Sequence, residues 1–175
     1  MKLGFKMTDK LIFRKAKESD LGKIAELVKA AIEKMDAQNI HQWDEVYPQT
    51  EDFRLDFEAG NLFVGEKEAE IAVVFVLNRD FDDAYNSAKW QDESGNFRLI
   101  HRLCVNPKLQ GKGVANETLL HIERELKAQG VKSIRLDVFS ENPPALRLYE
   151  RTGYRKTGEA EWRKGRFFLM EKVFQ

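Results

Sequence analysis

The sequence predicts an α/β fold in one domain, a mixed β-sheet flanked by helices. Three observations lead there. A run from Arg98 to Phe139 reads strand, helix, strand, the crossover that joins parallel neighbours. Two amphipathic helical stretches stand ahead of most of the strands, and two β-rich runs close the chain as an antiparallel pair. The 175 residues suit one domain, and no repeat, low-complexity tract or Pro/Gly/Ser-rich linker divides residues 1–175.

In chain order, Leu11 to Ala16 reads as a short first strand. Ser19 and Asp20 open a helix whose apolar residues Leu21, Ile24, Val28, Ala31, Ile32 and Met35 recur at three-to-four spacing on one face. A shorter helix starts at Thr50, with Glu51 and Asp52 at its positive end, and stops at Gly60. Leu62 to Gly65 is a brief strand. Ile71 to Leu77 is apolar throughout, as befits a central strand covered on both faces. Arg98 to Val105 is a strand, and after a Gly-containing turn a helix from about Gly113 to Gln129 carries Ala115, Leu119, Ile122 and Leu126 on one face. Lys132 to Phe139 alternates Ile134, Leu136 and Val138 with Ser133, Arg135 and Asp137, a strand with two different faces. Asn142 caps a helix with Pro143 and Pro144 in its first turn, and Gly153 closes it. Tyr154 to Gly158 and Arg166 to Phe174 complete the sheet.

Composition excludes several classes. Lys and Arg number 29 and Asp and Glu 29, so no global field draws the chain toward nucleic acid or lipid, and an anionic ligand must be held locally. The single cysteine, Cys104, has no disulfide partner and no second thiol for a metal cage, which fits a reducing, cytoplasmic setting without a metal. Met1 to Lys10 is broken by Lys2, Lys6, Asp9 and Lys10, giving no apolar core for a signal sequence. No stretch approaches the roughly 20 apolar residues of a membrane span.

The strongest local signal is Val105 to Asn116, a strand end passing through a loop with Gly111 and Gly113 into a helix. A helix start leaves backbone N–H groups free, and glycine lets an anion approach them, so the segment outlines a pyrophosphate cradle. It is not a Walker loop, because Gly113 rather than Ser or Thr follows Lys112. Nor is it a dinucleotide fingerprint, whose last glycine position holds Asn116. After the next strand comes a second cluster, Asn142, Ala145, Tyr149, Gly153 and Tyr154.

With both clusters in this order, the sequence resembles the GNAT family of acetyl-CoA-dependent N-acetyltransferases. The family's first signature, Arg or Gln, two residues, Gly, one residue, Gly or Ala, is met by Gln110, Gly113 and Ala115. Its second, Asn-x-x-Ala-x-x-x-Tyr followed by a Gly-aromatic pair, is met by Asn142, Ala145, Tyr149, Gly153 and Tyr154. The resemblance implies a GNAT-like fold and acetyl-CoA as cosubstrate. It implies that Leu103, Cys104 and Val105 hold the acyl and pantetheine part through their backbone. Gln110, Gly111, Lys112, Gly113, Val114, Ala115 and Asn116 would form the pyrophosphate loop, Asn142 would bind the pantetheine arm, and Tyr149 matches the general acid. The partner implied is a small-molecule or peptide amine. Gln110 in place of the commoner Arg, and Ala115 in place of the last Gly, are the departures.

The residue types suit that chemistry. Attack of an amine on a thioester develops an oxyanion that fixed N–H donors stabilise, and a neutral tyrosine can protonate the leaving thiolate. His101, on the strand leading to Cys104, is a candidate base, although a strand histidine is more often a bystander, and the reading leaves the base unassigned. Cys104 reads as a small buried hydrophobe rather than a nucleophile, and His121 as solvent-facing. Trp162 to Arg166 reads as a solvated hairpin turn rather than a nucleic-acid contact. Two long irregular segments, 36–49 and 78–96, mix aromatics with acids and are expected to border a cationic amine's site. The alternative for their aromatics is anchorage to the body or to a second copy, which leaves a homodimer open. The competing function is a non-catalytic acyl-CoA-binding module or sensor, against which Tyr149 counts.

Overall fold

The structure, a computed structural model, describes residues 10–175. The first nine residues, on which most of the Met1–Lys10 reading rests, lie outside the described residues. Seven strands form one sheet in the order β1-β2-β3-β4-β5-β7-β6. They are β1 (Ile12–Lys15), β2 (Leu62–Lys67), β3 (Glu70–Asn78), β4 (Phe97–Val105), β5 (Ser133–Phe139), β6 (Arg155–Trp162) and β7 (Gly165–Val173). The helices are α1 (Leu21–Ala37), α2 (Thr50–Glu58), α3 (Val114–Ala128) and α4 (Pro143–Arg151), and none of them is long and apolar enough to cross a membrane.

The apolar run on β3 is explained by helices on both sides. Val74 and Val76 pack with Leu21, Ile24 and Val28 of α1, whereas Val73 and Phe75 pack with Leu119 and Ile122 of α3. Alternation still operates, but each face is dry. Two strands run past glycines that read as their ends. A Cβ on Gly65 would lie 2.7 Å from Val73 Cγ1, and one on Gly158 would lie 2.9 Å from Ala88 Cβ. These glycines mark close approach within the sheet and against a loop, not strand termini. His121 is also not a free surface residue, since its ring stacks on Phe13 at 4.1 Å and 9°.

One pairing positions everything that follows. β4 and β5 are the sheet's parallel neighbours and share only Phe97↔Ser133, Arg98↔Ile134 and Leu99↔Arg135. Beyond these pairs β4 continues along β3 to Val105, and β5 continues along β7 to Phe139. The strands therefore part, and a cleft opens between them. On the far side of β4 the register with β3 shifts, so that Arg102 and Leu103 together oppose Phe75, with Arg102 at φ 49°. Such a bulge leaves the extra residue's backbone outside the ladder, and Arg102 and Leu103 both border the cleft.

The polar face of β5 is buried beneath segment 79–96. The Arg135 guanidinium lies between the rings of Trp90 and Phe97, 4.3 and 4.0 Å from their centroids. Its Nε is 3.3 Å from Glu171 Oε1, and its Nη2 donates to the Asp92 carbonyl at 2.7 Å. Ser133 donates to Asp92 Oδ2 at 2.8 Å, and Gln91 N to Glu171 Oε2 at 2.7 Å. Asp92 and Trp90 thus anchor the loop to the body. Glu171→Ala leaves the Arg135 cation buried without its carboxylate and should cost about 3–5 kcal/mol. Urea denaturation checks this as a lower midpoint at an unchanged slope.

Candidate active site

Two cavities meet in the cleft. The first, of about 440 Å³, is bordered by the end of β4, the loop into α3 and the head of α4. Asn106 starts this loop, donating through Nδ2 to the Ile71 carbonyl at 3.2 Å and accepting from Lys108 N at 3.1 Å. Gly111 and Gly113 then take φ 75° and 81°, which favour glycine, and a Cβ on either would project into open space. That space adjoins the first turn of α3, a 15-residue helix whose leading N–H groups have no intrahelical acceptor. The donors and the room fit a pyrophosphate.

Leu103, Cys104, Val105, Gln110, Gly111, Gly113, Val114, Ala115, Asn116, Asn142 and Tyr149 all line this cavity. Lys112 does not, and its side chain is exposed. The sequence reading also missed contributors from the other side: Lys34, Met35 and Gln38 at the end of α1, and Arg151 at the end of α4. Met35 reads as core by its spacing. Asn142 is the α4 cap, accepting from Ala145 N at 3.2 Å while its Nδ2 donates to Gln42 Oε1 at 2.8 Å. Burial pushes the Cys104 thiol up to about 12, so it stays protonated and is a poor nucleophile near neutrality.

The second cavity, of about 380 Å³, lies across the parted strands. Trp43, Tyr47, Tyr85, Trp162 and Phe167 wall it, and His101, Arg102, Asp82 and Asp137 add polar groups. Arg102 is engaged: Nε and Nη2 reach Asp56 at 2.8 and 2.6 Å, and Nη1 donates to the Tyr47 hydroxyl at 2.7 Å. His101 Nε2 lies 2.9 Å from the Asp80 carbonyl, which can only accept, so Nε2 carries the hydrogen and Nδ1 holds the lone pair. Burial lowers the His101 pKa and keeps the ring neutral near pH 7. Gln42, Trp43, Leu103, Asp137 and Tyr149 border both cavities, which places these five at the junction. Burial, and then the charge of Asp137, push the Tyr149 hydroxyl well above its ordinary range, so it remains a proton donor at neutral pH.

Segment 38–49 straps the two cavities together, and its anchor corrects the reading of the last hairpin. Trp162 pairs with Gly165, leaving Arg163 and Lys164 as the turn. These basic residues border the second cavity and grip Asp44: Arg163 Nη1 and Nη2 each lie 2.8 Å from a carboxylate oxygen, and Lys164 Nζ lies at 3.1 Å. Those hydrogen bonds hold the Asp44 carboxyl well below the usual carboxylate range. Asp44 also accepts from Val46 N and Tyr47 N at 3.0 and 3.2 Å. The acids of the two irregular segments therefore do not form one field around an amine. Asp44 and Asp92 are spent on structure, and Asp82 is the one acid of segment 78–96 that borders the cavity, where it also caps Ala84 N at 2.8 Å.

Comparison with known proteins agrees with this fold. A family model described as "Acetyltransferase (GNAT) family" matches residues 30–154. A GNAT-family acetyltransferase from Streptococcus agalactiae 2603 superposes with a TM-score of 0.84 at 19% identity, over 94% of this chain and 96% of that one. A candidate acetyltransferase from Staphylococcus aureus MU50 gives 0.73 at 28% identity, over 93% and 98%. A third, from Salmonella typhimurium and solved with its cofactor acetyl-CoA, gives 0.67 at 18%, over 94% and 94%.

Asp44→Ala removes both the grip on the hairpin and the acceptor for two strap amides. Hydrogen exchange at Val46 and Tyr47 should accelerate at least about tenfold while β5 amides keep their protection, since local opening is separable from global unfolding. Unchanged exchange at these two amides would show that the strap is held by other contacts.

Proposed function

The chain belongs to the GNAT acetyltransferase family, and on that premise we propose that it is an N-acetyltransferase moving acetyl from acetyl-CoA to a primary amine by direct attack in a ternary complex. The observation that carries this reading is the meeting of two cavities at Tyr149, one with a glycine cradle at a helix start and the other walled by aromatics. Acetyl-CoA, when bound, supplies an acetyl group activated as a thioester. The residues that would hold it are the backbone of Leu103, Cys104 and Val105 beside the acyl and pantetheine part, and the turn from Gln110 to Asn116 at the pyrophosphate. Asn142 would add its amide to the pantetheine arm, releasing Gln42 to do so.

The chain's own contribution is placement and proton supply. The bulge at Arg102 and Leu103 provides backbone polar groups outside the ladder, where fixed N–H donors stabilise charge developing on the acyl oxygen. Tyr149, kept protonated by its surroundings, gives its hydrogen to the departing sulfur. The protonated state of Cys104 speaks against a covalent acetyl-cysteine and for transfer in one complex.

Tyr149→Phe keeps the ring and its edge contact with Tyr154 but removes the hydrogen. Its kcat should fall roughly 10²- to 10⁴-fold with CoA affinity unchanged, as read by CoA release with an amine panel and by calorimetric titration. An unchanged kcat where chemistry limits turnover would remove Tyr149 from the acid role. CoA binding without release of CoA from acetyl-CoA in the presence of any amine would instead favour the sensor reading. Gly113→Val should abolish most CoA binding, and its positive φ adds a stability cost of roughly 1–2 kcal/mol, so the titration is read on the folded fraction.

A further inference from the structure

We propose that Asp137 is the group that receives the acceptor's amine, pairing with its ammonium and then taking the proton that must leave before attack. The assignment deepens the N-acetyltransferase reading and rests on it. Its starting point is the parting of the sheet. The last β4–β5 pair is Leu99↔Arg135, and two residues further along each strand stand His101 and Asp137. They occupy facing walls of the gap. Of the five residues bordering both cavities, Asp137 is the one carboxylic acid, and Tyr149 is another of the five. A group accepting a proton from the attacking nitrogen and a group donating one to the leaving sulfur must both reach the reacting carbon's neighbourhood, and the junction is where the two cavities allow it.

The other acids nearby are committed elsewhere. Asp56 holds Arg102, Asp44 holds Arg163 and Lys164, and Asp82 caps its own turn. Asp137 Oδ2 accepts from the Tyr85 hydroxyl at 2.6 Å, and no ion pair within 4.0 Å to Lys, Arg or His is found for it among the described residues. A carboxylate removed from water and lacking a cation is expensive, and an alkyl ammonium entering the pocket supplies that cation. The aromatic faces of Trp43, Tyr47 and Trp162 suit the carbon skeleton behind it.

The titratable groups around Asp137 come from every wall: Tyr85 and Asp82 from segment 79–96, His101 and Arg102 from β4, Tyr47 from the strap and Tyr149 from α4. Burial raises the Asp137 pKa, and the Tyr85 hydrogen bond and the charge of Arg102 draw it back. A raised carboxylate is the stronger proton acceptor, which narrows the gap to an ammonium. The step balances as follows. The ammonium gives one proton to the Asp137 carboxylate, and the freed lone pair forms the bond to the acetyl carbonyl carbon. The carbon–sulfur bond breaks with its electron pair on sulfur, which takes the Tyr149 proton. The nitrogen's remaining excess proton leaves to solvent, Tyr149 recovers a proton from solvent and Asp137 releases its own, so that amide, thiol and one net proton result.

The test uses the full chain with Asp137→Asn, Asp137→Glu and Tyr85→Phe. Asn keeps an oxygen for the Tyr85 hydroxyl, and circular dichroism with calorimetric CoA titration confirms that fold and CoA site are retained. For the best amine of the panel, kcat/KM of Asp137→Asn should fall roughly 10²- to 10⁴-fold, with Asp137→Glu recovering part of it. Tyr85 is a positioning residue: Tyr85→Phe removes a hydrogen bond that stabilises the carboxylate, so the acid limb of kcat/KM should move to higher pH, a shift that a merely structural role would not produce. Butylammonium chloride added to the CoA-saturated protein provides a readout independent of turnover. In parent protein carrying 13C-labelled aspartate it should move the Asp137 carboxyl resonance toward the ionised position, and in Asp137→Asn its affinity should drop at least about tenfold. Transfer by the parent with equal kcat/KM in Asp137→Asn, or a larger loss in His101→Gln than in Asp137→Asn, overturns the assignment. Butylammonium binding at Asp137 without acetyl transfer to any amine supports Asp137 as the amine receptor and rejects the transferase reading. Neither binding nor transfer overturns both.

Discussion

The early end of pairing between β4 and β5 is the constraint on which this structure depends. Three residue pairs hold the parallel neighbours together, and each strand then follows its other partner. A continuous sheet would present side chains on two faces and backbone on none. A parted one exposes the inner edges of both strands to a shared gap, where unpaired backbone and side chains from opposite strands can address one ligand. The bulge opposite Phe75, the cradle at Gly111 and Gly113, and the junction at Tyr149 are all arranged around that gap.

Keeping the gap open requires that both halves be held without the missing hydrogen bonds. Helices brace the sheet on both faces, with α1 against Val74 and Val76 of β3, and α3 in one core with Val73 and Phe75 of β3 and with Ile134 and Leu136 of β5. A third fastening ties the far ends together, where Lys172 Nζ lies 2.8 Å from both Glu123 oxygens and 2.6 Å from the Thr152 carbonyl. It joins β7 to α3 and to the end of α4, the helix that carries Tyr149. These bonds therefore help to hold the helix that carries Tyr149 in place.

Element order was legible in the chain because the signals were local. Periodicity marked both long helices, Asn142 with Pro143 and Pro144 marked the start of α4, and alternation marked β5. The loop into α3 was legible for the same reason, since glycines before a helix carry their meaning within a few residues. The second cavity was not. Asp137 is spelled as one polar residue on an alternating strand, and only the parting of strands that are distant in sequence turns it into a junction residue. Arg163 and Lys164 look like a solvated turn until Asp44, from the other end of the chain, is placed against them. Gly65 and Gly158 misled because their purpose lies in a neighbour's side chain, which no short window contains.

The two halves of the sheet meet across the gap through side chains rather than through a ladder. Tyr85 reaches Asp137, Asn142 reaches Gln42 and the hairpin cations reach Asp44. Backbone hydrogen bonds fix a spacing near 4.8 Å whatever the residues, whereas spans made of side chains take the length of the residues that form them. The width of the gap is thus a heritable, adjustable quantity that single substitutions can retune while the ladders on either side stay intact. A scaffold built this way can reshape one side of its cleft through side-chain changes alone, leaving the glycine turn at Gly111 and Gly113 undisturbed.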